Sequence, residues 1–235
     1  MAIVARVPPS RLYYYTKEGM EFKVWVTLRA IRVERWIGHV KKFFLDDAPS
    51  KVVGLDCEFT DSVRGGDRYL PPEQKQRAAV VQLSVASETL VFQICRADRV
   101  PQALLDFFAD ETIKFYGVAL HNDLRMLRPY GISIASPVDL QLDGRNPTDN
   151  PTPSLYALSN AIIGTNLQKK KKEKKDKKKG LPEKKKQKRF NDDDEEDEED
   201  LRFRGWGNVP LSFPRILYAA LDARLGYEIA LRWDT

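Results

Sequence analysis

The chain contains few of the residues that form disulfides or bind zinc. Its 235 residues include only two cysteines and two histidines. Cys57 and Cys95 each lie in an apolar segment, and their spacing from His39 and His121 is not that of a zinc site. A disulfide scaffold is therefore excluded, and a zinc site has few possible ligands. We expect two free, buried thiols in a reducing compartment.

Long apolar runs are also missing. No stretch approaches the roughly 20 apolar residues that span a bilayer, so we expect no membrane segment. The N-terminal residues contain no apolar run before a small-residue cleavage site, so we expect no secretory signal. The hydrophobic fraction of 42% is that of a globular protein. We predict a single domain over residues 19–235, preceded by an irregular lead-in at residues 1–18, where Pro8 and Pro9 block regular structure.

Most of the charge is concentrated in one segment. Residues 169–189 contain 14 basic and 3 acidic side chains, and residues 192–200 are 9 consecutive acids. A segment with almost nothing apolar to bury cannot offset the entropy lost on ordering, which predicts a disordered insertion at 169–200. Lysine runs bind polyanions and also act as nuclear localisation signals, so we expect a nuclear protein, with the cytoplasm as a second location. The nucleic-acid-binding candidates in this run are Lys169, Lys170, Lys171 and Lys172.

Apolar periodicity predicts an alternation of strands and helices in the rest of the chain. Strands are predicted at 22–28, 51–60, 78–85, 89–94, 113–118 and 136–140. Helices are predicted at 31–45, 100–108, 122–129, 154–163 and 211–233. The polar segment at 61–76 is predicted to be a mobile loop. This order of elements favours a mixed sheet with helices on both faces.

Two carboxylates lie near the end of the strand predicted at 51–60. Val52, Val53 and Leu55 give this strand the apolar character of a central one. Asp56 and Glu58 follow, and they project from the same face because side chains alternate along a strand. Neighbouring acids repel each other and resist desolvation, and a hard divalent cation such as Mg²⁺ relieves both effects. The alternative is a strand end that emerges into solvent with both acids hydrated.

Three later residues fit the same site. Asp123 opens a predicted helix, where an acid is also a common helix cap. Tyr218 and Asp222 are one turn apart on the last predicted helix, so they share a face. The alternative there is a solvent-facing Asp beside a partly buried Tyr. Against it, Asp222 has apolar residues on both sides in a mostly apolar helix.

In this order, the four acids and the tyrosine resemble the DEDDy 3′→5′ exonucleases, in particular the Werner-syndrome-type exonuclease domain and its plant relatives. The resemblance covers about residues 20–167 and 201–233, including AVVQLSV, GVALHNDLRML, PSLYALS and the Trp206 loop before LYAALDA. It implies an α/β fold, a ribonuclease H-like mixed β-sheet flanked by α-helices. The departures are Phe59, where a Trp is common, and the long charged insertion, which leaves open how the Trp206 loop meets substrate.

The resemblance implies a role for each of five catalytic residues. Asp56 matches the acid that bridges two metal ions, Mg²⁺ or Mn²⁺. Glu58 and Asp222 match ligands of the first metal, and Asp123 matches the acid that holds the second, often through water. Tyr218 matches the tyrosine that orients the attacking water. We add Trp206 as a candidate nucleic-acid contact.

The implied activity is metal-dependent hydrolysis of DNA or RNA from a free 3′ end, which releases 5′-mononucleotides by a two-metal mechanism. The choice between DNA and RNA stays open. A protein partner such as a separate helicase is a further possibility that the sequence alone does not decide, and the sequence contains no helicase motif. The alternative function is a catalytically silent nucleic-acid-binding or scaffold module with the same fold. The lysine tract favours that alternative slightly, whereas the complete set of five residues argues against it.

Overall fold

A seven-stranded mixed sheet forms the centre of the structure, a computed structural model that describes residues 9–61, 76–143, 145–168 and 205–234. The strands are β1 (Ser10–Lys17), β2 (Met20–Thr27), β3 (Lys51–Asp61), β4 (Gln76–Val85), β5 (Glu88–Phe92), β6 (Ile113–Gly117) and β7 (Pro137–Asp139). Their order in the sheet is β1-β2-β5-β4-β3-β6-β7. The β1–β2, β3–β4 and β4–β5 pairs are antiparallel, and the other pairs are parallel. The predicted loop at 61–76 and the predicted insertion at 169–200 lie almost entirely outside the described residues.

In the part of the chain that the structure describes, five α-helices connect or cover the strands. They are α1 (Ala30–Val40), α2 (Gln102–Ala109), α3 (His121–Leu127), α4 (Leu155–Ile162) and α5 (Phe213–Asp234). All five were predicted from periodicity, with boundaries displaced by a few residues. The helix predicted at 31–45 changes to a π-helical turn at Lys41–Leu45. No helix in the described ranges is both long and apolar enough to cross a membrane.

Two apolar layers form the core, one on each face of the sheet. On one face, α1, α2 and α3 pack against β3 in a cluster that includes Val53, Leu55 and Cys57. On the other face, α5 packs across β3, β4 and β5, with α4 beside it. Because side chains alternate along β3, Asp56 and Glu58 belong to the face that α5 covers.

Strand β1 shows that the predicted irregular lead-in is wrong for residues 10–17. β1 pairs antiparallel with β2 through a turn at Glu18 and Gly19, whose φ angles are 49° and 75°. Two successive positive φ angles are typical of the type I′ turn, which fits a tight hairpin. Pro8 and Pro9 precede the strand in the sequence, so they do not interrupt its ladder.

Helix α5 lies directly on the backbone of β3. A Cβ atom placed on Gly54 would lie 2.0 Å from the carbonyl oxygen of Ala223, so only glycine permits this approach. The far end of the helix is fixed by Asp234, whose carboxylate accepts hydrogen bonds from Ser50 Oγ (2.7 Å) and the Tyr116 hydroxyl (2.8 Å). The close contact and the anchored end together set the position of α5 over the acids of β3.

Candidate active site

Three carboxylates converge where α5 crosses β3. Asp56, Glu58 and Asp222 each offer an oxygen atom, and these oxygens all lie within 4.8 Å of one another. Glu58 is buried, and Asp56 and Asp222 are half-buried. The alternative of a strand end with hydrated acids is therefore not what β3 adopts, and Asp222 does not face open solvent.

A β-bulge follows the second acid. The register of β3 against β4 shifts between Glu58 and Phe59, so that Glu58 lies opposite Val80 and Phe59 lies opposite Ala78. Bulges change the direction of a strand and are frequent beside active sites. Here the extra residue is Ala79 of β4, so β3 keeps its alternation, with Asp56 and Glu58 on the α5 face and Phe59 packed against the opposite layer. The sequence pattern gave no sign of it.

The carboxylates perturb one another. The pKa of Asp56 is raised well above its ordinary range, first by burial and then by the charges of Asp222 and Asp123. A hydrogen bond from the backbone N–H of Cys57 opposes this shift. A divalent cation would remove the repulsion, and an all-carboxylate donor set fits hard ions such as Mg²⁺ and Mn²⁺. The residues present therefore fit a divalent metal.

Asp123 lies beside this cluster but is not one of the three converging acids. It is buried in the first turn of α3, after Leu120 at the N-cap position, and its carboxylate accepts a hydrogen bond from its own backbone N–H, which agrees with the helix-start interpretation. Its carboxylate accepts hydrogen bonds from the thiol and the backbone N–H of Cys57. The pKa of Asp123 is raised to about 7, mainly because the carboxyl group is buried. His121, predicted in a loop, is the exposed first residue of α3.

Tyr218 lies one turn before Asp222 on α5. Burial raises the pKa of its phenol, and the charges of Asp222 and Glu58 raise it further. Tyr218 and Asp222 line a cavity of about 250 Å³. The remaining lining residues are Val118, Gln141, Ser154, Leu155 and Tyr156.

The lining residues from 141 to 156 were not identified as site residues from the sequence. They are scattered through a Pro-rich connection, and only the start of α4 had a local signal. Ser154 is the N-cap of α4, and its side chain accepts a hydrogen bond from the backbone N–H of Ala157. The Gln141 amide donates a hydrogen bond to the carbonyl oxygen of Pro153 at 2.8 Å, which links the start and the end of the connection between β7 and α4.

Trp206 is fully buried, which corrects its prediction as a nucleic-acid contact. Its ring packs against Tyr218 with the ring centroids 6.2 Å apart. Two hydrogen bonds of 2.8 Å hold the loop that carries it: Gln93 donates to the carbonyl of Asn208, and Arg96 donates to the carbonyl of Gly207. A buried ring cannot stack on a base, so Trp206 supports Tyr218 instead. The lysine candidates at 169–172 lie outside the described residues.

The cysteines are free, as expected, but only Cys57 is buried. Cys95 is partly exposed, because it lies in the short 3₁₀ segment Ile94–Arg96 after β5 and not in the strand. Burial raises the pKa of both thiols. Neither cysteine belongs to the group of converging ligand atoms.

Comparison with curated proteins shows similarity to two named exonucleases. The chain is 28% identical over 181 residues to the mouse bifunctional 3′-5′ exonuclease/ATP-dependent helicase WRN, an alignment covering 76% of this chain and 10% of that protein. It is 31% identical over 93 residues to the Drosophila melanogaster exonuclease 3′-5′ domain-containing protein 2, covering 39% of this chain and 14% of that protein. The chain therefore corresponds to a small part of each relative.

Solved structures show the same fold at low identity. The Escherichia coli RNase D structure superposes with a TM-score of 0.59 at 14% identity, covering 92% of this chain and 46% of that one. The Aedes aegypti Nibbler EXO domain superposes with a TM-score of 0.57 at 14% identity, covering 88% and 85%. These likenesses confirm the predicted ribonuclease H-like α/β fold.

The family comparison covers most of the chain. The model of the 3′-5′ exonuclease family matches residues 37–232, which include β3, α3 and nearly all of α5, with all five predicted catalytic residues. Members of this family are hydrolases that act on nucleic acids. The chain belongs to the 3′-5′ exonuclease family.

Proposed function

We propose that the protein is an active, metal-dependent 3′→5′ exonuclease of the DEDDy type that releases 5′-mononucleotides from the 3′ end of DNA or RNA by a two-metal mechanism. The observation that carries this proposal is the convergence of Asp56, Glu58 and Asp222 within 4.8 Å, with the partly buried Tyr218 one helical turn before Asp222. A purely structural role does not account for three mutually repelling acids at one point of the core.

The acids divide into two overlapping sets of ligands. Asp56, Glu58 and Asp222 would hold the first ion, and Asp56 with Asp123 would hold the second. When bound, two divalent ions supply an activated water and neutralise charge on the phosphate and on the leaving 3′ oxygen. Asp123 is suited to a contact through water, because it lies outside the three converging carboxylates and is already hydrogen-bonded to Cys57.

Tyr218 positions the attacking water in this scheme. Because its pKa is raised, the phenol stays protonated at neutral pH and is not a general base. Its hydroxyl can hold a water by a hydrogen bond beside Asp222, in line with the scissile phosphodiester. The 250 Å³ cavity that both residues line would receive the 3′-terminal nucleotide.

The test is direct observation of turnover. The protein is incubated with 5′-labelled single-stranded DNA, 3′-recessed duplex and RNA, each with Mg²⁺ or Mn²⁺ and with an EDTA control. We expect progressive shortening from the 3′ end and 5′-mononucleotides as product, with none in EDTA. Binding without shortening on all three substrates would favour the silent binding module, and the preferred substrate identifies the nucleic acid.

The lysine tract supports a proposal about the location of the enzyme in the cell, and the family supports one about its protein partner. The mouse WRN protein unites exonuclease and helicase functions by name. We propose that this chain uses a separate helicase as partner and acts in the nucleus, with the 169–189 lysine run as localisation signal. Imaging of the full chain and of a variant with these lysines replaced by glutamine tests the location. Equal nuclear accumulation of both would remove this role from the tract.

A further inference from the structure

A buried amide lies beside the candidate active site without a hydrogen-bond partner. Gln82 of β4 has no exposed surface, and neither Nε2 nor Oε1 of its side chain has a partner among the described residues. Buried polar side chains are hydrogen-bonded in the large majority of cases. The two unmatched atoms therefore require an explanation in the function of the site or in the packing around it.

The register of the sheet places Gln82 next to Asp56. The two residues are directly opposite in the antiparallel β3–β4 pair, so their side chains project from the same face, with Cβ atoms about 4.5–5.5 Å apart. The same row on β4 contains Val80 and Ser84, and Val91 is opposite Gln82 on β5. Of these neighbours, two are apolar and Ser84 already shares a hydrogen bond with Thr89 (3.0 Å). Asp56 is thus the polar neighbour in this row that the amide can reach.

We propose that Gln82 is a positioning residue for Asp56. When Asp56 holds a metal ion, rotation of the Gln82 side chain lets its Nε2–H donate a hydrogen bond to the carboxylate oxygen of Asp56. Hydrogen bonds of this kind fix the orientation of metal ligands. A neutral donor suits this place, because a cation would compete with the metal and a further acid would add to the repulsion. This inference rests on the proposed metal-dependent function.

The test compares Gln82→Met with a matched control, Gln93→Met, in the intact chain. Gln93 is also buried, but its amide donates to the carbonyl of Asn208 at 2.8 Å. Methionine keeps the length of the side chain and removes the amide. We measure Mn²⁺ affinity by isothermal titration calorimetry without substrate, and thermal melting in EDTA.

Opposite results are expected for the two variants. Gln82→Met should weaken Mn²⁺ binding about 10- to 100-fold, the usual effect of removing a group that orients a metal ligand, while melting in EDTA is unchanged or higher. Gln93→Met should melt lower in EDTA and keep its Mn²⁺ affinity within about twofold, because the hydrogen bond that it loses holds the Trp206 loop and involves none of the four acids. If Gln82→Met does not fold, Gln82→Asn is used, since its shorter amide stays too far from Asp56.

Wild-type Mn²⁺ affinity in Gln82→Met would overturn the inference, and so would wild-type affinity in Gln82→Asn if that variant is needed. A Gln82 variant that only melts lower would likewise assign the amide to packing. Failure of the proposed function gives a different result, because the wild-type protein itself would then bind no Mn²⁺. The two failures are therefore distinguished in the same titration.

Discussion

Replacement of Asp56 by asparagine should stabilise the metal-free protein while abolishing hydrolysis. The carboxylate oxygens of Asp56, Glu58 and Asp222 lie within 4.8 Å of one another. At that separation, and with an effective dielectric constant of about 20, each pair of ionised groups costs about 3 kcal/mol. Burial, and then the charges of Asp222 and Asp123, raise the pKa of Asp56, so Asp56 can limit this cost by binding a proton. We therefore expect a gain of about 1–3 kcal/mol in the free energy of unfolding at pH 8, below the full cost of one pair.

The stability that Asp56→Asn gains over the wild type should increase as the pH rises. A carboxyl whose pKa is raised by folding contributes stability that is fully present below its ordinary value of 3.8 and is lost as the pH rises through its folded pKa. Asparagine does not titrate. The advantage of Asp56→Asn should therefore be absent near pH 3 and larger at pH 8 than at pH 5.

Thermal melting in EDTA at pH 3, 5 and 8 measures this gain, which at pH 8 corresponds to about 2–12 °C for a chain of this size. Mn²⁺ should raise the melting temperature of the wild type by mass action and that of Asp56→Asn much less. Asp149→Asn, which changes an exposed acid, serves as the control. It should match the wild type in its melting temperature in EDTA and in the rise of that temperature with Mn²⁺. An Asp56→Asn protein that melts lower than wild type in EDTA at pH 8, or that keeps the full Mn²⁺ shift, would refute the reasoning.

Three further predictions concern other parts of the molecule. Tyr218→Phe should lower turnover about 10²-fold in steady-state kinetics with little change in substrate affinity, because only the positioning of the water is lost; wild-type turnover would reduce Tyr218 to a core residue. Gly54→Ala should lower the free energy of unfolding by more than about 3 kcal/mol in denaturant titrations, because the new Cβ would lie 2.0 Å from the carbonyl oxygen of Ala223; a near-neutral effect would contradict the packing of α5. Deletion of residues 169–200 should preserve cleavage of short oligonucleotides and reduce the salt dependence of binding to long ones, measured by titration at several salt concentrations; loss of all activity in a folded deletion protein would mean that the tract shapes the site.

The predictions from sequence were accurate where local periodicity determines the structure. Alternation along β3 puts Asp56 and Glu58 on one face, and helical spacing puts Tyr218 and Asp222 on one face. Each pattern requires only residues that are close in the chain. The packing of α5 on β3, which brings the two pairs together, came from the family resemblance.

The errors arose where distant residues determine the structure. Tyr13 and Tyr15 of β1 pack against Phe213 of α5, with ring centroids 5.9 Å and 5.3 Å apart, and no local signal reveals that contact. The burial of Trp206 likewise depends on loop anchors more than 100 positions earlier in the chain. Gln82 was hidden in an apolar run, because only the strand register shows that it lies opposite Asp56.

The position of α5 in the chain has a consequence during synthesis. Tyr218 and Asp222 are supplied by the helix that follows all seven strands and the charged segment. At a typical elongation rate of about 5–20 residues per second, the ribosome needs on the order of ten seconds to proceed from β7 to Asp222. A nascent chain in this interval carries Asp56 and Glu58 but cannot assemble the site. In the proposed function, the enzyme is therefore unable to degrade the messenger RNA from which it is being translated until translation has passed its last catalytic residue.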